Sequence, residues 1–147
     1  KMLKGVEKNF QENYSNINVV LADPEGSVYQ PYFDGKDDHL SYKKPFYVEG
    51  AGKAVLVDAM NFDIVDEAIS FNDENAISMV QRLAREEGLM VGGSAGGNVW
   101  AALEVAKRME APAKIVTIIP DSGFKYLSKI FNSKWLNEIG LGHLAAD

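Results

Sequence analysis

Residues 89–102 read Leu-Met-Val-Gly-Gly-Ser-Ala-Gly-Gly-Asn-Val-Trp-Ala-Ala, an apolar strand-like start that breaks into glycines around one hydroxyl and then becomes a good helix. Such a junction constrains the fold strongly, because glycine removes side chains where backbone must turn sharply or approach something closely. Ser94 falls where the helix begins, among backbone N–H groups that have no partner inside the helix. Three readings compete for this segment. In the first, Ser94 is an ordinary N-cap and Gly92, Gly93, Gly96 and Gly97 only tighten a strand-to-helix turn. In the second, the loop cradles a phosphate or dinucleotide, which fits poorly: the G-x-G-x-x-G spacing, a P-loop Lys-Ser/Thr pair and an acidic ribose partner are all missing. In the third, the Ser94 hydroxyl recognises a cofactor.

The rest of the chain sets that segment in an alternating pattern. Ile17–Ala22 is β-rich and almost continuously apolar, as a strand covered on both faces should be, and Asp23-Pro24-Glu25-Gly26-Ser27 ends it with turn chemistry. Residues 28–46 mix Tyr, Pro, Asp, Gly and Lys without a period and read as a long surface excursion. A second glycine loop, Val48 to Lys53, leads into a further apolar run. Glu67–Phe71 reads as a short strand, and Asn72 or Asp73 can cap a helix with Ala76, Ile77, Val80, Leu83 and Ala84 on one face until Gly88 stops it. Leu89–Val91 reads as a strand, Val99, Leu103, Ala106 and Met109 as a helix face, and Lys114–Ile119 as another strand. Pro120-Asp121-Ser122-Gly123 is then a turn ahead of a helix carrying Phe124, Leu127, Ile130 and Phe131. Strands alternating with helices imply a mostly parallel sheet with right-handed crossovers, in which ligands bind beyond the carboxyl ends of the strands. The turns at Asp23–Ser27, Gly92–Gly97 and Pro120–Gly123 are therefore expected at one edge of the sheet.

Composition excludes several classes of function. At 147 residues the chain can bury one core, and 46% hydrophobic with 24% charged residues is ordinary for a globular protein. A net charge of −6 without any Lys/Arg run argues against nucleic acid as a partner. No stretch approaches the ~18–20 apolar residues of a bilayer span, and Lys1 to Tyr14 is too polar for a signal peptide, so the expectation is a cytoplasmic protein without a membrane partner. The absence of cysteine removes disulfides and thiolate chemistry, and His39 and His143 lack metal-ligand spacing, so no metal site is expected. The chain opens on Lys1, without an initiator Met there, and runs straight into a helical pattern with Met2, Leu3, Val6 and Phe10 on one face; it reads as a segment of something larger.

Asp23-Pro24-Glu25-Gly26-Ser27, Val48-Glu49-Gly50-Ala51-Gly52, Ile64-Val65-Asp66-Glu67, Ala84-Arg85-Glu86-Glu87-Gly88, Gly92-Gly93-Ser94-Ala95-Gly96, and Pro120-Asp121-Ser122 with Tyr126-Leu127-Ser128 occur together in one order. In that order and spacing the chain resembles the C-terminal half of the catalytic core of the fold-type II pyridoxal-phosphate enzymes of the cystathionine β-synthase and cysteine synthase family. The resemblance covers essentially residues 1–147. It implies an α/β three-layer sandwich of the tryptophan synthase β-like kind, a mostly parallel sheet flanked by helices, with pyridoxal 5'-phosphate as cofactor.

The resemblance also implies roles. Ser94 would donate a hydrogen bond to the pyridine nitrogen of the cofactor, Gly50 would face the cofactor, and Ala51 and Gly52 would leave room for the substrate. A neutral hydroxyl does not keep that nitrogen protonated as an Asp would, so the ring is a milder electron sink, suited to β-elimination rather than transamination. The implied reaction joins a serine-like amino acid to a thiol through an aminoacrylate, with small-molecule amino-acid and thiol substrates and a homodimer as the assembly. Gly-Gly-Ser-Ala-Gly, Pro-Asp-Ser-Gly and the ending Lys129 to Trp135 resemble cystathionine β-synthase; an O-acetylserine-dependent cysteine synthase and a noncatalytic binding or assembly module with the same fold are the alternatives. Ala51, Lys53 and Val57 depart from the residues usual in the family. Neither Lys4, Lys8, Lys53 nor Lys114 sits in a Schiff-base lysine context, so no catalytic residue is assigned here, and the lysine and phosphate cradle are expected in the N-terminal half of the same enzyme, the chain's implied partner.

Overall fold

The computed structural model describes residues 17–110 and 112–145; the opening helix expected through Met2 and Phe10 lies outside the described residues. The backbone divides into two compact units, Lys1–Pro45 with Gly52–Ser70, and Phe46–Ala51 with Phe71–Asp147.

In the first unit, strand β1 (Val20–Pro24) pairs with β2 (Glu67–Phe71). The Val19 carbonyl accepts from the Asp66 and Glu67 N–H groups at 2.9 and 3.3 Å, so the two strands start side by side and run parallel. Asp66 also accepts the Val19 N–H through Oδ2 at 2.7 Å, which fixes the register. β1 therefore begins three residues later than the expected Ile17 and runs on to Pro24, because pairing rather than local propensity decides where a ladder starts. The expected excursion over residues 28–46 is more ordered than composition suggests. It holds a short helix α1 (Tyr29–Phe33) and a 3-10 turn (His39–Tyr42). Tyr29 is buried edge-on against Phe62, with ring centroids 5.7 Å apart.

The second unit is helical. Helix α2 (Asp73–Glu86) starts with a capping box in which Asn72 and Asn75 exchange bonds: Oδ1 of Asn72 accepts from the Asn75 N–H at 2.8 Å, and Oδ1 of Asn75 from the Asn72 N–H at 3.1 Å. Asp73 and Glu74 in the first turn and Arg85 in the last complement its dipole. Helix α3 (Gly93–Lys107) packs against α2, and α4 (Ser133–Glu138) starts where the Asn132 side chain accepts the Trp135 N–H. Ile77, Val80, Val91, Ala95, Tyr126, Ile130 and Leu136 form one core.

Three sequence expectations give way here. Leu89–Val91 supplies a single bridge, antiparallel, from Val91 to Ser122, and Lys114–Ile119 forms no strand. Lys114–Ile119 is exposed throughout, Val116 at 86%, although its composition is that of a buried strand. A strand needs a neighbour for its backbone groups, and among the described residues only β1 and β2 pair in a sheet. The helix expected through Phe124 and Phe131 is a 3-10 turn (Gly123–Tyr126) followed by further turns. Ser122 opens it by accepting the Phe124 N–H, and the Lys129 N–H reaches back three residues to Tyr126 rather than four.

Candidate functional site

The glycines of the 92–97 segment are taken up by protein packing. A Cβ on Gly96 would run into the Ala76 carbonyl of α2, and one on Gly97 into the Phe71 ring. On Gly92 it would meet the Asp121 carboxylate and the Tyr126 ring, and on Gly93 the Ile130 and Val48 side chains at 3.2 and 3.5 Å. These contacts let α3 lie against α2 at backbone distance and bring the 120–123 turn onto Gly92, the residue ahead of its first turn. The Gly92 N–H donates to the Asp121 carbonyl at 3.3 Å and the Gly123 N–H to the Met90 carbonyl at 3.0 Å. Two of the three turns expected together thus adjoin within the second unit, and Asp23–Ser27 belongs to the first.

Ser94 is not the cap of its helix. Gly92 is, and its carbonyl accepts from Ala95 and Gly96 at 3.1 and 3.2 Å while no side chain caps the end. Ser94 is 7% exposed, and its hydroxyl lies on the side that Gly50 presents: a Cβ on Gly50 would be 3.9 Å from Ser94 Oγ. Gly50 has φ +84°, a left-handed conformation that a side chain disfavours, so the backbone argues for glycine there, while a Cβ would only touch the Ser94 hydroxyl at ordinary contact distance.

The loop bearing Gly50 is held by groups distant in sequence. Oδ1 of Asp73 accepts the Tyr47 and Val48 N–H groups at 2.8 and 2.9 Å, Glu49 pairs with Lys129, and the Tyr47 ring meets Trp135 edge-on at 5.7 Å. Sequence reading gave Asp73 only a helix-end role; no local pattern announces a side chain that reaches back 25 residues. Behind Gly92, the Tyr126 hydroxyl donates to Oδ2 of Asp121 at 2.8 Å, while Oδ1 is buried without a partner. Burial first, then the Asp121 hydrogen bond and charge, push the Tyr126 phenol up to about 12.

Ala51, partly buried, closes the second unit's loop, and Gly52 belongs to the first unit, where its Cα lies against Pro24 and the Ser27 side chain. Oγ of Ser27 accepts the Lys53 N–H at 3.0 Å, and the Val28 N–H donates to the Lys53 carbonyl at 2.9 Å. The structure therefore brings Ser94 and Gly50 together and ties Gly52 to the Asp23–Ser27 turn. Asp23 is 1% exposed; its Oδ2 accepts the Gln30 N–H at 3.0 Å, and burial raises its carboxyl above the ordinary 3.8 against the lowering effect of its hydrogen bonds. Lys53 and Lys114 are exposed, and Lys4 and Lys8 lie outside the described residues.

Residues 1–121 match the family model described as pyridoxal-phosphate dependent enzyme, and the chain belongs to that family. Cysteine synthase 1 of Neurospora crassa is 35% identical over 127 residues, 85% of this chain and 34% of its own length. Cystathionine beta-synthase of Apis mellifera is 30% identical over 138 residues, 94% of this chain and 27% of its own. Among solved structures, cysteine synthase from Entamoeba histolytica superposes with a TM-score of 0.72 at 30% identity, over 84% of this chain and 35% of that one. O-ureido-L-serine synthase superposes with a TM-score of 0.76 at 23% identity, over 87% of this chain and 38% of that one, a likeness of fold. The chain spans about a third of the length of these relatives.

Proposed function

We propose that residues 1–147 are the C-terminal half of the catalytic core of a pyridoxal-phosphate β-replacement enzyme that joins a serine-like amino acid to a thiol. The observation that carries this reading is the Ser94 hydroxyl set opposite Gly50, a position at which an added Cβ would narrow the space in front of that hydroxyl. A flat ring with one acceptor nitrogen suits such a setting. When bound, pyridoxal phosphate supplies the electron sink that makes the substrate's α-carbon acidic. Ser94 would hold the ring nitrogen by a hydrogen bond from a neutral group, Gly50 would leave the ring face clear, and Ala51 and Gly52, small residues as the family resemblance implies, would leave room for the amino acid.

The Gly-Gly-Ser-Ala-Gly turn and the Pro-Asp-Ser turn favour a cystathionine β-synthase-like reaction, whereas the 35% identity to a cysteine synthase keeps an O-acetylserine-dependent one as the second reading. The catalytic lysine and phosphate cradle belong, on this proposal, to the N-terminal half, and the whole enzyme is a cytoplasmic homodimer. The test is to mix the 147-residue chain with pyridoxal phosphate, reduce with borohydride and map modified lysines. No stoichiometric site is expected, because covalent capture needs a lysine aimed at the aldehyde. A single stoichiometric adduct accompanied by β-replacement activity would show that the chain is complete and the half-site reading wrong.

A further inference from the structure

We infer that Asp73 is a positioning residue for the Gly50 side of this site, an inference that rests on the cofactor reading above. Asp73 occupies the first position of α2, but it does not cap the helix, since Asn72 and Asn75 already do so reciprocally. Its Oδ1 is instead turned to two consecutive N–H groups, those of Tyr47 and Val48, immediately ahead of Glu49 and Gly50. One acceptor taking two adjacent donors fixes the direction of that stretch of backbone, not merely its distance. Val48 is 3% exposed and packs against the first residue of α3, beside Ser94. The helix that carries Asp73 is itself locked to α3 by the Gly96 contact with Ala76. Asp73 therefore refers the Gly50 loop to the same pair of helices that positions Ser94, and sets the gap between the two.

A positioning role and a helix-end role differ in what they require of residue 73. Interaction with the α2 dipole requires charge, whereas holding two N–H groups requires only an acceptor oxygen, which asparagine retains. The experiment compares Asp73→Ala and Asp73→Asn in the complete enzyme stripped of cofactor, reading amide hydrogen exchange at Tyr47 and Val48 and then pyridoxal phosphate affinity by absorbance titration. Asp73→Ala should raise exchange at both amides by about tenfold or more, the scale of losing two hydrogen bonds, and weaken cofactor affinity about fivefold. Asp73→Asn should stay within about twofold of the parent on both readouts. Asp73→Ser, which suits a first helical turn but holds its oxygen too short, should behave as Asp73→Ala and serves where that variant fails to fold. Equal loss in the Asn and Ala variants would assign Asp73 to the helix dipole and overturn the inference, as would unchanged exchange in Asp73→Ala. Faster exchange with unaltered cofactor affinity would instead sink the site reading, and the positioning role with it, while the hydrogen bonds to Tyr47 and Val48 stood.

Discussion

The carbonyl of Ala76 on α2 lies against the Cα of Gly96 on α3, so close that no side chain fits between them. This contact decides the sign of a substitution that local propensity gets wrong. In a free helix Gly→Ala gains about 1 kcal/mol. At position 96 the added methyl meets a carbonyl oxygen and the Val80 side chain, and overpacking of this kind costs about 1–3 kcal/mol. Gly96→Ala should therefore lower the midpoint of denaturant unfolding, and an unchanged or raised midpoint would show that the two helices can part without penalty.

Ser94 offers a sharper test of chemistry. In the complete enzyme Ser94→Ala should keep the cofactor, since one hydrogen bond is worth about 1 kcal/mol, yet slow β-replacement. Ser94→Asp should favour a protonated pyridine nitrogen and with it side reactions. Parent-like kinetics in both variants would remove Ser94 from the site.

Asp23 gives a pH dependence with a definite sign. Burial holds its folded-state carboxyl above the ordinary 3.8, so the folded chain binds that proton more tightly than the unfolded one. Stability from this group is fully present below 3.8 and declines as pH rises through the raised folded value. Asp23→Asn should flatten that decline; urea midpoints measured between pH 3.5 and 7 that fall equally in parent and variant would place the titrating group elsewhere.

Tyr126 is held at the opposite end of the scale. Its phenol, pushed to about 12, should be among the last tyrosines to ionise in a spectrophotometric titration. Tyr126→Phe removes the hydrogen bond to Oδ2 of Asp121, whose Oδ1 already lacks a partner, and should cost about 1–3 kcal/mol. An unfolding midpoint equal to the parent's would mean that solvent readily takes the hydroxyl's place.

Much of the fold was legible in the chain because its signals are local. Glu67–Phe71 forms the strand its composition suggests, and the helix after Asn72 starts and stops where capping residues and Gly88 place it, since caps and periodicity act within a few residues. Lys114–Ile119 has the composition of a strand but forms none, because a strand is a relationship with a neighbour and not a property of a segment. The glycines of the 92–97 turn announced a close approach without saying to what. Their partners, Ala76, Phe71, Asp121 and Val48, are a tertiary outcome.

The order of its motifs and the hydroxyl among glycines at Ser94 were determined by the sequence alone, because both are matters of residue identity along the chain. Which residue faces Ser94, and what holds that residue in place, were decided only in three dimensions. Gly50 reaches the hydroxyl through a loop fastened by Asp73 and Lys129, whose hydrogen bond and ion pair connect residues 25 and 80 positions apart. Contacts at that separation leave no period and no motif; they exist once packing of α2 on α3 has brought the backbones together.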